Sequence, residues 1–334
     1  MMCRLAAWCL LLALCGSAAL GDDVADRQRA RRLMERVAAG GAALSDEEFE
    51  AVMAASHTDQ VEVELVMVTA VVVDRRSRPL TGLTRQDFQL FDDGQLRPLA
   101  WFGEELAAPF RLVLLLDVSG SMADRSRTAA IRAALLPLMR QVRRRDRMRL
   151  VTFADRGVVV HGTWRSRPMS LLAEALAIER RGRTALADAL AAAAELLAPS
   201  PLERQAIVLV SDGLDNASRL APSEVAEAAL EVEAPVYVLA LGGAAREIQA
   251  RRDPGNPLAG LADIARQTGG RFFLIGGEDE AAEARAAALR IRDDLRHQYR
   301  LAFRPPRDRR EGSHRIEVRV GRRGARVLAR RAYR

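Results

Sequence analysis

Between residues 110 and 297 one pattern repeats along the chain: a short, mostly apolar run, then a stretch whose apolar residues recur at helical spacing. The runs are Leu112–Leu116, Arg149–Phe153, Gly157–Val160, Ala206–Ser211, Val236–Leu241 and Arg271–Ile275. After the first of them, Ile131, Leu135, Leu138 and Val142 share one helix face, and a helix from Ala185 aligns Leu186, Leu190, Ala193 and Leu197. Strands without a polar face need cover on both sides, and the intervening helices supply it. The predicted fold class is α/β, a doubly wound, Rossmann-like, mostly parallel sheet. One connection breaks the pattern. Asp155-Arg156-Gly157 is too short for a parallel crossover, so the third strand must return antiparallel, at an edge. Pro137 interrupts the first helical pattern and predicts a kink there.

On both flanks the period changes to two. Val61, Val63, Leu65 and Met67 alternate with Glu62, Glu64 and Val66; Phe88 to Phe91 follows, then Asp92-Asp93-Gly94 as a hairpin turn and a strand through Trp101. At the far end Tyr299–Phe303, His314–Val320 and Ala325–Arg331 are three more strand-like segments. Neither group makes a stable sheet alone. The N-terminal strands of residues 61–105 and the C-terminal strands of residues 298–334 are therefore expected to pair in one β-sandwich, with the domain of residues 110–297 inserted between them. Residues 22–58 read as a helical spacer, two amphipathic helices split by Gly40-Gly41. The second opens with a Ser45/Glu48 capping box and a Leu44–Phe49 staple.

Residues 1–21 read as a signal peptide: Arg4 is the only charge, an apolar run extends from Leu5 to Cys15, and Ala19-Leu20-Gly21 offers a small-residue cleavage site. The expectation is an exported chain, periplasmic or extracellular. Leu12 to Ser17 also resembles a bacterial lipobox that would anchor the chain through Cys15, with Leu14 out of pattern. All three cysteines lie in this segment, which leaves a mature chain without a disulfide, a thiolate zinc site or a cysteine nucleophile. Composition excludes more. The formal charge is +7, yet all 51 basic residues are arginine, so phosphate-loop lysines, Schiff bases and serine-lysine dyads are ruled out. The arginine-rich tail from Arg296 lacks the interleaved aromatics of a nucleic-acid binder, so no nucleic acid is expected; association with an anionic envelope surface stays open.

The chemistry-bearing residues lie at the ends of the apolar runs. The first run leads into Asp117-Val118-Ser119-Gly120-Ser121, one carboxylate and two hydroxyls on a strand-to-helix turn. In a doubly wound sheet such strand ends form the binding crevice. Thr184 stands at the mouth of a second helix, and Asp212 follows the run Ala206–Ser211. Hard oxygen donors of this kind suit Mg2+, Mn2+ or Ca2+. If the strands before Asp117 and Asp212 are neighbours, their like charges need a cation between them.

Asp117, Ser119, Ser121, Thr184 and Asp212 together resemble the metal-ion-dependent adhesion site of von Willebrand factor type A (VWFA) domains, and residues 110–297 are similar to such a domain throughout. The flanking Pro79-Leu80-Thr81-Gly82-Leu83-Thr84, Asp87-Phe88 and Asp92-Asp93-Gly94, with the strand-rich tail, resemble the secreted VWFA-related proteins of Acidobacteria. The resemblance implies that Ser119 and Ser121 bind the cation directly, while Asp117, Thr184 and Asp212 bind it directly or through water. It also implies a coordination position for an Asp or Glu of a protein partner. Two functions fit: an exported adhesion-type binding module that captures an acidic group through the cation, or a structural subunit of a cell-envelope complex in which the cation only stabilises the fold. Asp124 stands where integrin β-type domains carry an acid for a second metal, and it also reads as a helix start. Asp188 and Asp215 read as helix-turn and loop residues. Arg246, Arg251 and Arg252, in the loop 243–257, are candidate contacts for an acidic partner or plain solvated residues. No enzyme is expected: there is no G-x-S-x-G, and none of His57, His161, His297 and His314 is placed to serve Ser119 or Ser121.

Overall fold

A computed structural model describes residues 26, 28–39, 41–56, 65–104, 109–154, 157–183, 186–197, 203–212, 234–242, 257–306 and 311–333. The signal segment 1–21, Gly40, Val61 to Glu64, Thr184, Asp215, Arg246, Arg251 and Arg252 lie outside them. The chain divides into two compact units, the larger made of Met67–Arg97, Glu104–Arg300 and Asp308–Arg334.

The larger unit contains a six-stranded sheet of order β10-β9-β8-β5-β6-β7. Its strands are β5 (Phe110–Asp117), β6 (Arg147–Ala154), β7 (Gly157–Arg165), β8 (Arg204–Ser211), β9 (Val236–Leu241) and β10 (Phe272–Ile275). Alternation along each strand splits the core in two. Leu112, Leu114 and Leu116 of β5, with Ala206, Val208 and Val210 of β8, face a cluster that includes α3 (Arg125–Arg140), α4 (Met169–Ala177) and α7 (Glu280–Arg296). Val113 and Leu115, with Ile207 and Leu209, face α5 (Leu186–Leu196) and α6 (Pro257–Thr268). Covered on both faces, the sheet is doubly wound. All the pairings are parallel except β6 with β7, so the short Asp155–Gly157 connection returns the edge strand antiparallel, as its length requires. That edge strand is longer than expected, which puts His161 inside it rather than at its end. Helix α3 runs on past Pro137 to Arg140.

The flanking strands of the larger unit pair end with end. β1 (Val66–Val73) lies antiparallel to β13 (Arg326–Ala329), with Ala70 opposite Ala329. A second sheet has order β14-β12-β2-β3, formed by Ala332–Tyr333, His314–Val320, Phe88–Asp92 and Gln95–Arg97. Asp93 and Gly94, with φ of 48° and 79°, make the primed turn between β2 and β3. Phe88 of β2 meets Tyr299, the first residue of β11 (Tyr299–Phe303), with ring centroids 5.0 Å apart. The strand expected to continue through Trp101 instead breaks at Pro98, which has no N–H for a ladder, into β3 and β4 (Leu99–Gly103).

The smaller unit comprises Met1–Val66, Pro98–Gly103 and Leu301–Arg307. A helix over residues 28–38 (α1) precedes α2 (Asp46–Ser56), and the expected capping box forms: Ser45 N–H donates to Glu48 Oε2 at 3.0 Å, and Glu48 N–H to Ser45 Oγ at 3.2 Å. Phe49 stacks on Trp101 of β4 at 4.1 Å, and the indole N–H donates to Asp46 Oδ1 at 2.9 Å. A small core thus forms around one fully buried tryptophan.

Candidate metal centre at the sheet rim

Strand order reverses at β5, whose neighbours β6 and β8 lead the chain away in opposite directions. Asp117 ends β5 and Ser211 ends β8, and alternation turns both toward the face covered by α5. There Ser211 Oγ donates to Asp117 Oδ2 at 2.6 Å, and Ser119 N–H donates to Asp117 Oδ1 at 2.8 Å. The hydroxyl oxygens of Ser119 and Ser121 are 3.1 Å apart. Asp117 and Ser119 are buried, whereas Ser121 is exposed.

Backbone bonds hold the turn in place. Val118 N–H donates to Phe153 O at 3.0 Å, Arg181 N–H to Val118 O at 2.9 Å, and Gly120 N–H to Gly182 O at 3.0 Å. The segment leading to Thr184 is thereby joined to the Asp117 turn, although Thr184 itself is outside the described residues.

Asp212, buried, follows β8, and its Oδ2 lies 3.4 Å from Nη1 of Arg127 in the first turn of α3. The same guanidinium donates to the Ser121 carbonyl. Gly242, at φ +110°, leaves it room, for a Cβ there would stand 2.8 Å from Arg127 Nη2. Burial pushes the Asp117 carboxyl up to about 6, against the hydrogen bonds from Ser119 and Ser211, and the charge of Asp212 adds a smaller upward push.

Asp117, Ser119, Ser121 and Asp212 thus converge on one rim, while Arg246, Arg251 and Arg252 lie outside the described residues. The donor set, two carboxylates and two hydroxyls, fits a hard divalent cation. Asp124 is a helix cap: its Oδ1 accepts from Ser126 N–H at 2.6 Å, and that hydrogen bonding holds its carboxyl below the usual range. Asp188 lies in the first turn of α5. Sequence reasoning missed Ser211 and Arg127. Ser211 is a lone hydroxyl closing an apolar run, a readable signal; Arg127 had none, being one of several arginines near a helix start.

Elsewhere, Asp92, Asp93 and His314 form a cluster whose ligand atoms lie within 4.8 Å. Its oxygens are already engaged. Asp92 accepts from Tyr333 Oη at 3.1 Å and Arg97 Nε at 3.2 Å, and Asp93 accepts from Arg315 N–H at 2.8 Å and lies 2.8 Å from His314 Nδ1. The cluster fastens the β2–β3 turn to β12.

Residues 112–214 match the family model of the von Willebrand factor type A domain. Among solved structures, the chain is similar to an aerotolerance-related membrane protein from Bacteroides fragilis, at 18% identity over 56% of this chain and 98% of that one, with a TM-score of 0.45. It is also similar to a von Willebrand factor type A protein from Catenulispora acidiphila, at 14% identity over 81% and 75%, with a TM-score of 0.44. A third is proximal thread matrix protein 1 from the mussel byssus, with a zinc-occupied MIDAS motif, at 13% identity over 62% and 49%, with a TM-score of 0.44. No curated protein matches the chain in sequence.

Proposed function

The chain carries a von Willebrand factor type A domain, a module that generally mediates protein–protein interaction and often holds a metal ion, and from that premise we propose that it is an exported, non-enzymatic binding module. In this reading Asp117, Ser119, Ser121, Thr184 and Asp212 hold a divalent cation, Mg2+ or else Mn2+ or Ca2+, and the bound cation supplies a Lewis-acid position for an Asp or Glu of a partner protein. One observation carries the reading: the Asp117 turn and Asp212 meet at the ends of neighbouring parallel strands, with the turn tied by backbone bonds to the segment before Thr184. Ser211 and the Ser119 amide orient the Asp117 carboxylate in advance, so the site needs little rearrangement. The described histidines have partners elsewhere, His161 on Thr152 and Glu174, His297 on the Asp293 carbonyl and His314 on Asp93, which supports a non-enzymatic role for the two serines.

The contact of Arg127 with Asp212 favours a second reading. A tethered guanidinium already offsets one carboxylate, as a rim whose cation only stiffens an envelope-complex subunit would allow. A pull-down from native envelope in Mg2+ or in EDTA separates the two. The binding module loses its partner in EDTA and in Asp117→Ala, whereas the structural subunit keeps it while the fold survives. The cation site itself is tested by calorimetric titration of chelated protein with MgCl2 or MnCl2; heat of binding from wild type and none from Asp117→Ala is expected, and no heat from wild type at millimolar metal overturns it.

A further inference from the structure

Helices α3 and α7 pack side by side and leave a groove of about 860 Å³ between them. Its floor is apolar, formed by Ala129, Ala133, Leu136, Pro137 and Leu289. Its walls are basic. Arg132 and Arg140 stand on α3, and Arg285, Arg292 and Arg296 on α7, one or two helical turns apart and so on one face of each helix. The lining contains one acid, Asp293, and Arg292 Nη2 already pairs with it at 2.7 Å. Among the described residues Arg132, Arg140 and Arg285 are exposed and have no anionic partner. At the end of the floor Gln141 is 6% exposed; its Oε1 lies 3.4 Å from Arg296 Nε, and its Nε2 has no acceptor among the described residues.

We propose that this groove is a second binding surface, separate from the cation rim, and that it takes an acidic amphipathic segment of a partner protein. Charge complementarity and shape select the occupant. Guanidinium forks match carboxylates in bidentate fashion, and the apolar floor needs an apolar stripe against it. A free phosphate would use the arginines and leave the floor wet, and a flat lipid surface does not enter a concave groove. From Ala129 to Gln141, α3 lines about 18 Å of groove at 1.5 Å per residue, room for roughly twelve residues of helix.

The test uses the full chain in EDTA and a fluorescein-labelled peptide of about twelve residues with Leu and Ala on one helix face and Glu on the other. A peptide with Gln for each Glu, inorganic phosphate and phosphatidylglycerol vesicles form the other arms. Saturable rise in anisotropy is expected for the Glu peptide, weakened at least about ten-fold by Arg132→Glu with Arg285→Glu, and strongly weakened by salt. Arg140→Gln, a milder change at an exposed position, should weaken it several-fold with the melting temperature unchanged. Equal binding of the Gln peptide, indifference to both variants, or binding to vesicles or phosphate without binding to the peptide overturns the proposal. Because EDTA is present throughout, failure here leaves the cation reading intact, and failure of the cation titration leaves this one intact.

Discussion

The sheet rim and the α3–α7 groove are opposites built on one domain. At the rim, short side chains on strand ends are buried and fixed by backbone bonds before any ligand arrives: Asp117 is 0% exposed and Ser119 1%. In the groove, the long side chains of Arg132, Arg140 and Arg285 stand exposed on helix surfaces, with no anionic partner among the described residues. The rim is preorganised and acidic, with Arg127 its resident counter-charge; the groove is adaptable and basic. A preorganised site loses little entropy on binding, whereas a groove of free arginines must order several side chains at about 0.5–1.5 kcal/mol each. The rim therefore suits a small hard ion, and the groove suits a ligand large enough to offset that cost with buried area.

The strongest way to break the comparison is to damage both regions at once. Asp294 of α7 is buried and pairs with Arg271, Nη2 to Oδ1 at 2.8 Å; burial raises its carboxyl and the arginine opposes that rise. Asp294→Ala leaves a guanidinium only 12% exposed without its partner and should cost about 3–5 kcal/mol in urea unfolding, loosening the helix that bears the groove and the sheet that bears the rim.

Acidity acts on the rim through Asp117. In EDTA the folded chain keeps a proton on Asp117 up to about pH 6, while the unfolded chain releases it near 3.8. Folded protein then binds more protons than unfolded, so stability should fall as pH rises from 4 to 6, by on the order of 3 kcal/mol from this group, and level off above. Asp294 contributes in the same direction, so Asp117→Asn, which removes only the first titration, isolates the rim. With saturating Mg2+ the trend should shrink or reverse, because binding favours the ionised carboxylate. In the same measurements, metal at 100 times its Kd should stabilise wild type by about 2.7 kcal/mol and Asp117→Ala by nearly nothing, with groove-peptide affinity unchanged.

The smallest effect sharpens the contrast. Arg127→Ala removes the resident counter-charge of Asp212, so apo protein should lose about 1 kcal/mol while cation affinity rises several-fold in calorimetry. Unchanged affinity would show that the guanidinium and the ion do not compete.

What could be read in advance follows the range of each interaction. Strand ends are encoded locally: apolar runs closed by Asp117 or by Ser211-Asp212 announce the rim, because alternation and the parallel ladder then fix where those residues point. The β2–β3 turn was equally legible, since Asp93-Gly94 supplies the left-handed pair a primed turn needs. The break at Pro98 lies inside a run that otherwise reads as strand, and only the missing ladder donor gives it away. The groove was illegible because its two walls lie roughly 150 residues apart in the chain, and an arginine on a helix looks the same whether it meets solvent or a facing helix.

The pairing of β2 with β12, and of β1 with β13, gives this chain an unusual order of assembly. A β2–β3 hairpin on its own is marginal at best, so during synthesis its partner edges wait, open, while the whole inserted domain is made. Any proteolytic cut before His314 would strand that hairpin and expose its unpaired edges to other chains. Strands β12 and β13 thus cover edges laid down more than 220 residues earlier in the chain, and losing them would leave β1 and β2 without those antiparallel partners.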